Sequence, residues 1–119
     1  RMLSCIMPPY AFSTPCQEVV LACLTDEAQQ SITERCALLR SERERLAVEL
    51  TALNGIEAVF PSDANFLLIK ATDADRCQTV AEQAGVLIRN FGWQLPGSLR
   101  ITVGTPEQNN QLIESLKAL

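Results

Sequence analysis

Apolar residues recur at two different periods along this chain, and the changes of period mark its elements. Between residues 26 and 53 they fall at positions 28, 32, 36, 39, 46, 50 and 53, spacings of three, four or seven that place them on one stripe of a long helix. Arg40 with Glu44 and Arg45 with Glu49 add pairs four residues apart, and Asn54-Gly55 supplies the stop. Before it, Thr14-Pro15-Cys16-Gln17 reads as an N-cap, a proline at the first helical position and a glutamine able to close a capping box. With Val19, Val20, Leu21 and Leu24 following, a short helix is predicted over residues 15–24.

Beyond Gly55 the pattern becomes short and β-prone. Runs at 56–60 and 66–70, separated by Pro61-Ser62-Asp63, predict a strand, a turn and a second strand. Thr72 or Asp73 then caps a helix that ends at Gly85. Two more strands are predicted at 86–91 and 99–103, joined by a loop with Gly92, Trp93, Pro96 and Gly97. Thr105-Pro106-Glu107-Gln108 repeats the Thr-Pro-x-Gln device, and Leu112, Ile113, Leu116 and Leu119 stripe the last helix. This order predicts an α/β two-layer sandwich of the α+β kind, with helices packed on one face of a small, mostly antiparallel sheet.

At 119 residues, 47% hydrophobic and 20% charged, the chain has the size and apolar content of one domain. A net charge of -4 speaks against nucleic acid as a partner, because phosphate backbones need clustered, unopposed cations. The densest arginine cluster, Arg40, Arg43 and Arg45, is interleaved with Glu42, Glu44 and Glu49 and reads as a solvated helix face. Cysteines at 5, 16, 23, 36 and 77 form no Cys-x-x-Cys pair, and no histidine is present, so no zinc set and no Ser-His or Cys-His nucleophile pair is expected. Reduced thiols in a cytoplasmic protein are the reading. No apolar run suits a bilayer and no leader pattern is found, so no membrane partner is expected. Residues 1–13, apolar but interrupted by Pro8 and Pro9, read as a lead-in from something upstream, and the opening arginine suits a fragment.

The candidate chemistry lies in the last strand. Side chains of a strand alternate between faces, so Leu99, Ile101 and Val103 share one face while Arg100 and Thr102 share the other. A guanidinium is planar, forked and permanently charged, which suits bidentate binding of a carboxylate or phosphate; taken alone, the strand favours the plainer reading, in which Arg100 only solvates the outer face of an antiparallel sheet. Arg89 sits in the preceding strand. If the two strands are neighbours the pair can converge on one anion, and two cations without carboxylates favour a doubly charged ligand such as a phosphate monoester. If they are not neighbours, or the side chains point apart, there is no site. Asn65 reads as a turn residue first and a ligand contact second, Tyr10 has the same standing, Trp93 reads as a packing anchor rather than a stacking platform, and Asp73 and Asp75 read as helix-start carboxylates rather than metal ligands.

Pro9-Tyr10 with Ser13-Thr14-Pro15, Asn65-Phe66-Leu67-Leu68, Val86-Leu87-Ile88-Arg89 and above all LRITVGTPEQN at 99–109 together resemble the C-terminal small domain of the histidinol-phosphate aminotransferases, pyridoxal-phosphate enzymes of histidine biosynthesis in the aspartate aminotransferase superfamily (fold type I). The resemblance covers essentially the whole chain. It implies that Arg100 matches the arginine that grips the substrate's acidic group, that Arg89 matches a second arginine near the phosphate, and that the phosphate of histidinol phosphate and the α-carboxylate of glutamate use one clamp. It also implies a homodimeric parent that transfers an amino group between histidinol phosphate and 2-oxoglutarate. The family's Schiff-base lysine and most ligands of the cofactor belong to a large domain; here only Lys70 and Lys117 occur and neither fits. The chain is therefore expected to be a single domain, 1–119, cut from a larger enzyme, with 14–119 as the small domain, no catalytic or cofactor-binding residue of its own, and no activity alone. Two alternatives stand beside this reading: a pyridoxal-phosphate decarboxylase of a phosphorylated amino acid, and a free-standing anion-binding module without catalysis.

Overall fold

The computed structural model describes residues 13–119. Cys5, Tyr10 and nearly all of the 1–13 lead-in lie outside the described residues. The chain divides into two compact units, residues 1–35 and 36–119.

In the first unit, α1 (Thr14–Ala22) buries none of its residues, and Val19, Val20, Leu21 and Leu24 are all exposed. Its start differs from the sequence expectation. The N-cap is Ser13, whose side chain makes no capping hydrogen bond, and Thr14 is already helical. With two adjacent hydroxyl residues available, the helix begins one residue early, so Thr14 is out of the extended conformation a capping box requires. The long helix α2 (Asp26–Thr51) begins in this unit and runs into the second. The early part of its apolar stripe stays exposed at Ile32 and Cys36.

The second unit holds β1 (Ile56–Val59), β2 (Phe66–Ala71), α3 (Ala74–Gln83), β3 (Arg89–Asn90), β4 (Ser98–Thr102) and α4 (Pro106–Leu116). The strands form one sheet in the order β1-β2-β4-β3, with every neighbouring pair antiparallel. Its inner face contributes Leu67, Ile69, Ala71, Leu99 and Ile101 to the core, where they meet Leu46 and Leu50 of α2, Cys77 and Ala81 of α3, and Leu112, Ile113 and Leu116 of α4. Helices thus cover one face of a small antiparallel sheet, as the element order predicts. Each fully buried leucine or isoleucine contributes about 1.5–3 kcal/mol through removal of apolar surface from water, and that burial fixes which way the alternate residues of β2 and β4 point.

The predicted strand at 86–91 shrinks to two residues. Val86 N–H donates to the Ala81 carbonyl as α3 closes, Ile88 drops into the core and Leu87 is exposed, so ladder pairing is left to Arg89 and Asn90 alone.

Candidate anion-binding site

The alternation that buries Leu99 and Ile101 turns Arg100 to the outer face of the sheet, where it is half-buried. On one side β3 places Arg89 directly opposite it. On the other, β2 places Leu68 opposite, with Phe66 opposite Thr102. Cross-strand partners point to the same face with Cβ atoms about 4.5–5.5 Å apart, and like charges in that relation destabilise a sheet. Neither arginine has an ion-pair partner among the described residues. Lys70, also on this outer face, is paired with Glu57 at 3.0 Å. The arginine pair is the unneutralised charge of the face.

Aromatic rings take the place of carboxylates. The Arg89 guanidinium carbon lies 4.9 Å from the centre of the Phe91 ring, and that of Arg100 lies 5.4 Å from Phe66 and 5.9 Å from Phe91. A ring face attracts a cation without neutralising it, so both guanidiniums keep their full charge and their forked donors. Nε of Arg100 is buried and donates to no described residue. An unmade hydrogen bond at a buried charged donor is costly, and an anion seated on the pair would supply the acceptor.

The end of β4 is locked to α4. Thr105 caps the helix: its hydroxyl accepts from the Gln108 N–H, and the Gln108 side-chain oxygen accepts from the Thr105 N–H at 3.0 Å. Buried Asn109 accepts from the Gly104 N–H at 2.9 Å, and its amide donates to the Gly104 carbonyl at 3.2 Å and to Glu42 at 2.9 Å. Gly104 suits this turn because a Cβ there would lie 2.6 Å from the Gln108 side-chain oxygen and 3.0 Å from its Cβ.

Glu42 corrects the expectation of a solvated helix face. It is buried, 7% exposed, and accepts two hydrogen bonds from Arg45 as well as the one from Asn109. Those bonds, Arg45's first, hold its carboxyl below the ordinary carboxylate range against the opposing effect of burial. Arg43 also leaves the solvated pattern by donating to the Ala64 carbonyl at 3.2 Å. Only Glu49 joins Arg45 as the pairing rule predicts; Arg40 and Glu44 form no ion pair among the described residues.

Of the remaining candidates, Asp73 caps α3 by accepting from the Arg76 N–H at 2.9 Å, and Asp75 accepts from the Asn90 amide at 2.7 Å. No metal-ligand cluster is found among the described residues. Asn65 is exposed between β1 and β2, its carbonyl accepting from Val103 N–H. Trp93 is not a packing anchor: it is 76% exposed, because its loop is closed by backbone bonds from Gln94 and Leu95 to Phe91 and from Ser98 to Leu95 and needs no buried ring. The two phenylalanines are the residues that the sequence reading left out. Phe91 had a usable signal, since it follows Arg89 by two residues and so shares its face in an extended segment; Phe66 had none, because its place beside Arg100 comes from the β2–β4 register.

The fold is that of an α+β domain whose outer sheet face carries two directly opposed arginines. The family model for aminotransferases of class I and II matches residues 2–116, and the chain belongs to that family. Among its relatives, the histidinol-phosphate aminotransferase of Xylella fastidiosa (strain 9a5c) is 41% identical over 111 residues, covering 92% of this chain. The solved histidinol-phosphate aminotransferase of Clostridium acetobutylicum superposes with a TM-score of 0.76 at 21% identity, over 87% of this chain and 32% of that one. A decarboxylase from Sulfurospirillum multivorans superposes with a TM-score of 0.75 at 19% identity, over 89% of this chain and 32% of that one. Both superpositions establish the fold. The chain spans about 30% of the length of the curated relative.

The family implies pyridoxal phosphate as cofactor, which needs a free lysine amine. The described residues do not fit that requirement: Lys70 and Lys117 are exposed on the surface, each beside a glutamate, and neither lines a described cavity that could enclose the cofactor. No step through the cofactor is assigned to this chain.

Proposed function

We propose that this chain is the small, substrate-binding domain of a pyridoxal-phosphate transaminase that exchanges an amino group between histidinol phosphate and 2-oxoglutarate, with Arg100 and Arg89 holding the anionic end of the substrate. The observation that carries this reading is the pair of directly opposed arginines without carboxylate partners among the described residues. A phosphate monoester offers two negative charges and several acceptor oxygens to such a pair, and a substrate carboxylate can take the same place. The cofactor supplies the electron sink when bound to the intact enzyme, and its lysine belongs to the part of the enzyme outside this chain, so that the 119 residues are inactive alone. In the same reading, residues 1–13 lead in from the large domain, 14–119 form the small domain, and the parent works as a homodimer in the cytoplasm. The free thiols of Cys16, Cys23 and Cys36 suit such a reducing compartment.

In the full-length enzyme, Arg100→Ala lowers kcat/KM for histidinol phosphate by about a hundredfold, corresponding to a few kcal/mol of charge-assisted hydrogen bonding. An unchanged kcat/KM contradicts the assignment. Product analysis separates the related chemistry: release of carbon dioxide from a phosphorylated amino acid would replace the transaminase with a decarboxylase, whereas the name carried by the 41% identical relative favours amino transfer.

A further inference from the structure

We infer that Phe91 is a positioning residue that makes the arginine pair selective for a dianion over a monoanion. This rests on the reading that the substrate's anionic end sits on Arg89 and Arg100. The two arginines are held unequally. Arg100 is half-buried and lies between two rings, Phe66 and Phe91. Arg89 is exposed, and Phe91 is the ring beneath it. Phe91 itself is pinned at the start of its loop: its N–H donates to the Ser98 carbonyl at 2.9 Å, and its carbonyl accepts from Gln94 and Leu95 at 2.8 Å each.

An exposed arginine opposite another cation gains by swinging into water, where repulsion is screened and its rotamers are free. Attraction to the face of Phe91 opposes that motion and keeps the second guanidinium beside the first. A monoanion such as a carboxylate is satisfied by Arg100, which retains Phe66 whatever happens at position 91. A phosphate dianion uses both guanidiniums and loses the second when the ring is removed. The substitution therefore acts on selectivity between anions rather than on binding of anions in general.

The test is competitive inhibition of the full-length enzyme by inorganic phosphate and by acetate at pH 8, in the wild type and in Phe91→Leu, Phe91→Met and Phe91→Tyr. Leucine and methionine fill space without a ring, whereas tyrosine keeps the ring. The expected result is an inhibition constant for phosphate raised about three- to tenfold by leucine and by methionine, in keeping with a single cation–π contact, with acetate changed less than twofold and tyrosine close to wild type. An equal change for both anions, no change for either, or a loss in tyrosine matching that in leucine overturns the inference. Arg100→Ala measured alongside separates the two levels. If it weakens both anions while the Phe91 variants are neutral, the arginine site stands and the role of Phe91 falls. If it weakens neither, the site itself falls, and this inference with it.

Discussion

Glu42 carries the clearest case of a residue whose role is set by what folds against it. Nothing in the run Arg40-Ser41-Glu42-Arg43-Glu44-Arg45 distinguishes its carboxylates, yet Glu42 alone meets the buried amide of Asn109, which also clamps Gly104 at the end of the arginine strand. Arg45 and Asn109 favour the charged form, so the folded-state pKa lies below the unfolded one. The stabilisation is then fully present above the ordinary carboxylate value and is lost as pH falls through the lower folded value. Thermal unfolding of the wild type and of Glu42→Gln, followed from pH 7 downward, should give a difference in Tm that is constant at neutral pH and shrinks below about pH 4.5. A difference independent of pH would mean that the charge of Glu42 does not contribute.

Among the elements, the two Thr-Pro-x-Gln segments show how one local motif gives two outcomes. At α4 the threonine is extended, the proline takes the first helical position and both bonds of the box form. At α1 the preceding serine takes the cap and the motif is shifted by one residue into the helix. Urea unfolding should register the difference: Thr105→Ala costs about 0.5–2 kcal/mol, the usual range for a lost N-cap, while Ser13→Ala stays within about 0.5 kcal/mol, as substitutions away from specific interactions do. Equal losses at both sites would contradict the assignment of the caps. The helices α2, α3 and α4 and the strands β1, β2 and β4 were legible because their period or their caps are strong over several residues. The length of β3 was not, because whether 86–91 pair with a neighbour depends on the exit of α3 and the descent of Ile88 into the core.

For the whole molecule, the decisive fact is the strand order. Because β4 lies between β2 and β3, Arg100 receives one ring from β2, a second from Phe91 just after β3, and a second arginine across one ladder. Alternation in residues 99–103 was enough to turn Arg100 outward, and the β-prone run at 86–91, just before that strand, offered Arg89 as its neighbour. Their direct opposition, and the place of Phe66 beside Arg100, depend on register and could not be read from one chain of letters, whereas the spacing of Phe91 from Arg89 could. The central claim is that both guanidiniums grip one anion, and a double-mutant cycle tests it most directly. In the full-length enzyme, kcat/KM for histidinol phosphate is measured for Arg89→Ala, Arg100→Ala and the double variant. A shared phosphate predicts losses in both single variants that are not additive, with a coupling of about 0.5–3 kcal/mol, as found for groups acting on a common partner. Independent, additive losses, or no loss from either arginine, would contradict the claim.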